Sequence, residues 1–339
     1  MDFPPRPSAS NPRRVERRRT SEPGRSEDAE AGTGAFDWTG ELLREEAQGR
    51  TSQEPPDHPR RRAPEPERHR PRRRLGSETL ARVLWAVPWI VFAIVVIAAG
   101  GPIFAAAMVL IGWALLTEFH RMTARARPFQ LVAYATVAAM AAAAYLGDSF
   151  QILLVVVTFF PIVLGFAIAR PSLHNVTWSI AVTVFGIVWI GVPLAHAVLL
   201  REIPDHGGAL LVDVLVCTFF TDTFAYIGGR MFGRHPLAPT VSPNKTIEGL
   251  AIGIAGGVLG FWLAGLYQDW LSGPEALLMG LCIALIAPLG DLFESAIKRD
   301  LDVKDTGRML GPHGGLLDRL DAVLFTVVAG YYLALAIVV

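Results

Sequence analysis

From Leu75 onward the sequence is a succession of apolar runs separated by short polar loops, and several of the runs are long enough to cross a hydrocarbon core. A helix needs about 20 mainly apolar residues for that crossing. Nine segments answer the description: 83–99, 102–116, 129–146, 150–169, 176–199, 209–229, 247–271, 276–293 and 320–339. The second is short for a full crossing and reads as tilted, re-entrant or closely paired with the first. A bilayer offers no partner to an unpaired backbone N–H or C=O, so loops and sheet edges cannot face lipid. The expected fold is therefore all-α, a polytopic membrane protein with about nine transmembrane helices.

Charge divides the chain into two materials. Lys+Arg and Asp+Glu are equal at 31 each, so the net charge points to no nucleic-acid partner, yet about half of these residues precede Leu75. Residues 1–74 are rich in Pro, Arg, Glu and Ser and have no apolar period, which predicts a disordered cytoplasmic tail. Its arginines, including Arg60-Arg61-Arg62 and Arg72-Arg73-Arg74, suit either a solvated topology signal or anionic lipid headgroups. No secretory leader is expected, because the first apolar run begins only after Arg82. Residues 75–339 form the expected membrane domain. Two cysteines, Cys217 and Cys282, both within apolar runs, imply neither a disulfide framework nor a zinc site.

The loops 120–127, 170–175, 230–245 and 298–319 carry most of the remaining Lys and Arg, whereas the alternate loops are nearly free of them. The positive-inside rule then predicts a cytoplasmic N-terminus and, after an odd number of crossings, a C-terminus on the opposite side. It also brings several carboxylates to one depth. Asp222 lies in an otherwise apolar run, where a carboxylate facing lipid would cost about 2.5–3.5 kcal/mol. Asp291 lies near the same end of the eighth run, and Asp318 with Asp321 opens the ninth. Asp291, Glu294, Ser295 and Lys298 are spaced i, i+3, i+4 and i+7, which makes a polar stripe along one helix face. Hard carboxylate oxygens without His or Cys beside them suit Mg²⁺, which completes its shell with water and phosphates. The blander readings are a packing hydrogen bond or proton relay for Asp222, a helix-terminus charge for Asp318, and a structural role for Asp213.

Two loops carry a more specific pattern. The last contains Ser295-Ala-Ile-Lys298-Arg299, then Lys304-Asp305, then His313-Gly314-Gly315-Leu-Leu-Asp318-Arg319-Leu-Asp321. The earlier one contains Asp222-Thr-Phe-Ala-Tyr226-Ile-Gly228-Gly229, then Ser242-Pro243-Asn244-Lys245-Thr246-Ile-Glu248-Gly249. The glycines allow a backbone to approach an anion closely, and the lysines and arginines supply positive charge. Together these segments resemble the signature of the phosphatidate cytidylyltransferase (CDP-diacylglycerol synthase) family. The resemblance covers 222–321; Arg234 stands where that family often has Lys, and the charge is kept.

The resemblance implies transfer of the cytidylyl group of CTP to phosphatidate, giving CDP-diacylglycerol and pyrophosphate. It implies Mg²⁺, with a second cation possible, held by Asp291 and Asp318 with Asp222 and Asp321 as supporting or additional ligands. Lys245, Lys298, Arg299 and Lys304 would hold CTP phosphates. Ser295 and His313 would donate hydrogen bonds or shape the loop, and Asp305 and Arg319 complete the expected catalytic set. It further implies a multi-pass protein of the inner membrane, contact with membrane lipids, and a possible homodimer. The residues leave two alternatives: a CTP-dependent enzyme acting on another lipid phosphate, and an ion-coupled transporter, which would call for internal repeats that are not visible. Since no expected ligand lies in residues 1–74, their deletion is expected to preserve turnover in detergent. A loss of more than about tenfold in kcat for the truncated chain would show that the tail takes part in the reaction.

Overall fold

The computed structural model describes residues 88–307 and 314–339. The expected disorder of residues 1–74, the start of the first apolar run and His313 all lie outside the described residues. Within them are nine helices: α1 (Pro88–Ala99), α2 (Gly101–Met122), α3 (Gln130–Leu146), α4 (Ser149–Ile168), α5 (Val176–Arg201), α6 (Gly207–Phe232), α7 (Ile247–Gly265), α8 (Gly273–Asp300) and α9 (Leu317–Ile337). Seven are long and apolar enough to cross a membrane, and α1 and α3 are the shorter two. The all-α, polytopic expectation holds. A two-stranded antiparallel hairpin, β1 (Pro236–Ala238) with β2 (Ser242–Thr246), departs from it only in the loop between α6 and α7, where backbone groups need not face lipid.

One expectation is corrected. The second run is not short: α2 continues through Thr117-Glu118-Phe119-His120-Arg121 and reaches 22 residues. The polar residues that marked a loop in the sequence are carried by the helix, because Glu118 and His120 are buried. What remains of that loop is a 3₁₀ turn at Ala124–Ala126. Similarly α6 and α8 run several residues past the apolar segments that announced them, so Arg230, Lys298 and Arg299 are helical.

Local sequence explains where helices begin. Asp148 and Gln151 form a capping box at α4, and Ser272 with Glu275 does the same at α8. Thr246 caps α7 by accepting from the Gly249 N–H at 3.1 Å. Glu248 reaches back to the Arg234 and His235 N–H groups at 3.0 and 3.2 Å, closing the hairpin onto the helix it precedes. At the far end of the bundle, the Arg201 Nε donates to the Ile97 carbonyl at 2.7 Å and Gly101 N–H donates to Glu202 at 2.9 Å. Those bonds tie the α1–α2 turn to the end of α5.

Two close backbone approaches place the elements that carry the chemistry. The buried face of α7 is a row of small residues, Gly249, Gly253, Gly256, Gly257 and Gly260, set against α6. A Cβ at Gly253 would lie 2.7 Å from the Ala225 methyl and 2.8 Å from the Thr221 carbonyl oxygen. Such rows let membrane helices pack by van der Waals contact where no hydrophobic drive exists between them. The second approach is between α8 and α9, where a Cβ at Gly290 would meet the Asp321 carbonyl oxygen at 2.5 Å and Ala322 Cα at 2.8 Å. This brings Asp291 and Glu294 alongside Asp321. Beneath them Phe119, Phe185, Trp189, Phe293 and Phe325 interlock, with ring centroids 5.3–5.9 Å apart, and join α2, α5, α8 and α9. Trp189 sits in a π-helical turn, Ile187–Gly191, inside α5.

Asp213 is fully buried in α6 and accepts a 2.7 Å hydrogen bond from the Gln268 side chain, which accords with a structural role. The α6–α7 contact makes a clear demand on side-chain size. Gly253→Leu is expected to lower stability by about 1–3 kcal/mol through overpacking, read as a reduced unfolding midpoint in detergent. An unchanged midpoint would mean that the two helices are not held at this distance.

Candidate active site

The polar end of the bundle is organised around Lys298, on the last turn of α8. Its ammonium group lies 2.8 Å from Asp318 Oδ1 and 3.3 Å from Glu294 Oε2. The Lys298 side chain is only 15% exposed and that of Glu294 1%, so this is a pair taken largely out of water. Glu294 has no hydrogen bond of good geometry to either oxygen among the described residues, and its carboxyl faces that of Asp321. Asp321 is itself buried and accepts the Ala322 N–H at 2.9 Å. Two carboxyls facing one another, with one ammonium group shared between Glu294 and Asp318, leave acceptor capacity unused in an apolar surrounding.

A second cationic arm comes from the hairpin. Lys245, on β2, reaches Asp291 Oδ2 at 2.5 Å. The Ser295 hydroxyl lies 3.4 Å from the other oxygen of Asp291, one turn along the predicted polar stripe. Asp222 stands on an exposed face of α6 within electrostatic reach of Asp321, Asp291 and Lys245. Thus α6, β2, α8 and α9 bring Asp222, Lys245, Asp291, Glu294, Ser295, Lys298, Asp318 and Asp321 to one place.

Asp318 organises the loop that joins α8 to α9. One of its oxygens accepts from the Thr306 N–H at 3.1 Å and the Gly315 N–H at 2.9 Å, while the other accepts from Lys298. The remaining expected residues lie around this core. Arg299 donates from Nε to the Val241 carbonyl at 3.3 Å, linking α8 to the hairpin. Arg299, Asp302, Val303 and Lys304 line a shallow cavity of about 210 Å³. Lys304, Asp305 and Arg319 are exposed.

Sequence reading did not single out Glu118. It is completely buried near the end of α2, and its carboxylate accepts from Leu316 N–H at 3.0 Å, Leu317 N–H at 2.9 Å and the Thr306 hydroxyl at 3.3 Å. The available signal was a lone Glu two residues after an apolar run that otherwise resumes at Phe119. A larger groove of about 370 Å³, lined by Phe129, Leu131, Phe166 and Arg170, lies away from these carboxylates. Its Arg170 already donates to Ser179 and the Arg127 carbonyl and stacks on Phe129.

The cluster's composition fits a divalent cation and a polyphosphate. Among the described residues five carboxyl groups, those of Asp222, Asp291, Glu294, Asp318 and Asp321, gather here, and two ammonium groups touch three of them. Oxygen donors without nitrogen or sulfur suit Mg²⁺. Among the described residues no three of these groups form a ready-made metal cage, since Asp291 and Asp318 each lie against a lysine. A site that takes one or two carboxylates and completes the shell with phosphate oxygens does not need such a cage.

Comparison with known proteins gives the following. The pattern of the cytidylyltransferase family matches residues 80–337. The phosphatidate cytidylyltransferase of Mycobacterium bovis is 35% identical over 161 residues, 48% of this chain and 52% of that protein. That of Bacillus subtilis is 38% identical over 150 residues, 43% of this chain and 55% of that protein. That of Helicobacter pylori is 44% identical over 124 residues, 36% of this chain and 45% of that protein. The chain spans about half the length of the curated relatives it matches.

Removing the shared cation tests the electrostatics directly. Lys298→Met should leave Glu294 and Asp318 without their common ammonium group and destabilise the protein by about 3–5 kcal/mol. Adding Glu294→Gln should recover part of that loss. A single variant as stable as the parent would show that Lys298 does not compensate these carboxylates.

Proposed function

The chain belongs to the cytidylyltransferase family, and from that membership we propose that it transfers the cytidylyl group of CTP to phosphatidate, releasing pyrophosphate and forming CDP-diacylglycerol. The observation that carries this reading is the arrangement around Lys298: a buried ammonium group between Glu294 and Asp318, beside Asp291 and its partner Lys245. Cations beside carboxylates are what a polyphosphate and its metal ion need. Phosphates would draw Lys245 and Lys298 toward themselves, and the carboxylates so released would become available as ligands.

The chemistry needs positioning more than covalent participation. An oxygen of the lipid phosphate attacks the α-phosphorus of CTP in line, the bond to the β-phosphate oxygen breaks, and pyrophosphate departs. Mg²⁺, held by Asp291 with Asp222 and Asp321, and by Asp318 if it exchanges a present partner, would neutralise the phosphates and the charge building on the leaving group. Lys245 approaches from the hairpin and Lys298 from α8, so they can hold different phosphates of one chain. Arg299 and Lys304 add charge at the rim, where the leaving pyrophosphate would pass. The Ser295 hydroxyl, one turn from Asp291, is placed to donate to a phosphate oxygen. Glu294, almost fully buried, lies next to Phe293 of the aromatic cluster, and a surrounding of low polarity would strengthen these electrostatic contacts.

We place this end of the bundle at the cytoplasmic face of the inner membrane, with the N-terminus on that side and the C-terminus opposite. CTP would then arrive from the cytoplasm. The exposed position of Asp222 on α6 supports a cleft open sideways, by which phosphatidate could enter from the bilayer.

The decisive assay is pyrophosphate release by the purified chain. CTP with phosphatidate should support it, whereas ATP, GTP, or CTP with a polyprenyl phosphate should not. Asp291→Asn should reduce kcat on the order of 10²-fold or more. Release with a polyprenyl phosphate instead would reassign the lipid substrate, and no release with any lipid would reject the reaction.

A further inference from the structure

The loop between α8 and α9 contains the glycines and cations proposed to hold nucleotide phosphates, and its two ends are joined by two carboxylates. Asp318 binds the Thr306 and Gly315 N–H groups from inside the loop's own helix. Glu118 comes from α2, a helix outside the 222–321 motif segments, and binds the same two ends of the loop. One oxygen accepts from Leu316 N–H; the other accepts from Leu317 N–H and the Thr306 hydroxyl. Thr306 is therefore held by both carboxylates at once, through its N–H and its hydroxyl.

The chemistry of α9 makes this contact more than packing. The first N–H groups of a helix have no partner within it, and α9 has no capping side chain of its own at Leu316. Glu118 supplies the missing acceptors from a distant part of the chain. A buried acceptor near the C-terminus of α2 gains nothing from its own helix, where the backbone dipole disfavours negative charge. The loop is shaped to the carboxylate. A Cβ at Gly307 would lie 2.6 Å from Glu118 Oε1, and one at Gly315 would lie 2.7 Å from Oε2. Gly307 and Gly315 thus have no side chain where Glu118 sits.

We infer that Glu118 is a positioning residue for nucleotide binding, clamping the base of the 301–316 loop and fixing the start of α9 so that Asp318 and Asp321 face the α8 carboxylates. The inference rests on the cytidylyl-transfer reading for its consequence on CTP, but the clamp itself has a readout that does not. Glu118 touches no reacting atom; it acts through Thr306 and the Leu316 and Leu317 amides.

The test uses the full chain in detergent with Glu118→Gln, Glu118→Asp and Thr306→Val. Gln has the same shape as Glu but turns an amide N–H₂ toward a backbone N–H, so a packing role predicts a neutral effect and a clamping role does not. Hydrogen exchange at the Leu316 and Leu317 amides should accelerate at least tenfold in Glu118→Gln. The KM for CTP should rise about tenfold, with the KM for phosphatidate within twofold of the parent. Thr306→Val, which loses one hydroxyl, should move the same quantities less. Glu118→Asp keeps the charge but withdraws it, and should fall between Gln and the parent. Parent-like exchange and parent-like CTP KM in Glu118→Gln would overturn the inference. Accelerated exchange in a protein whose parent makes no CDP-lipid would support the clamp and reject the reaction instead, so the two failures are distinguishable.

Discussion

Placing charge in an apolar bundle is possible only when each charge has a counterpart, and in this protein that demand converges on Lys298. An unpaired buried carboxylate would cost several kcal/mol, far more than a single helix contact returns. Glu294, Asp318 and Asp321 can be brought together because Lys298 supplies a shared counter-charge and Asp318 is further satisfied by two backbone N–H groups. Among the described residues the carboxyl groups nevertheless outnumber the ammonium groups in contact with them. That imbalance is costly to the fold and useful to a site that must receive a metal ion and a polyphosphate. Stability and function therefore pull on the same residues in opposite directions.

The rest of the bundle can be understood as what holds this cluster in register. Glycine rows allow α7 to lie directly on α6, which presents Asp222 beside the hairpin bearing Lys245. Gly290 allows α8 to lie on the first turn of α9, which sets Glu294 against Asp321. The aromatic floor of Phe119, Trp189 and Phe293 links these helices to α2 and α5. Through Glu118, adjacent in sequence to Phe119, the same region of α2 reaches the loop above. The motif segments within 222–321 thus depend on a helix that lies outside them, though within the 80–337 family match.

Much of this was legible from the sequence, for identifiable reasons. Apolar run length located the helices because crossing a bilayer fixes their minimum size. Helical spacing foresaw the stripe on α8, and the structure realises it in the Asp291–Ser295 and Glu294–Lys298 pairs, each one turn apart. Loop charge predicted a common depth for Asp222, Asp291 and Asp318; the structure sets Asp222 within electrostatic reach of Asp291 and Asp321, and Asp318 against Lys298. Other features were hidden because they are tertiary. The Lys245–Asp291 pair joins a hairpin to a helix, and no local period announces it. Glu118 lies 198 positions from Leu316, and nothing in its local sequence marks it as a buried acceptor. The length of α2 was misjudged for the same reason: its polar end is paired with another helix, so it need not leave the bundle.

The central claim is that carboxylates from α6, α8 and α9 act together on one divalent cation with a nucleotide. The most direct measurement is Mn²⁺ binding to the purified full-length chain in the presence of CTP, followed by the electron paramagnetic resonance signal of free Mn²⁺. The account predicts a loss of free Mn²⁺ with the parent protein and CTP together beyond that with CTP alone, and at least a tenfold weaker affinity in each of Asp222→Asn and Asp291→Asn, which remove ligands from different helices. Parent-like Mn²⁺ affinity in both variants, or no CTP-dependent binding by the parent, would contradict it.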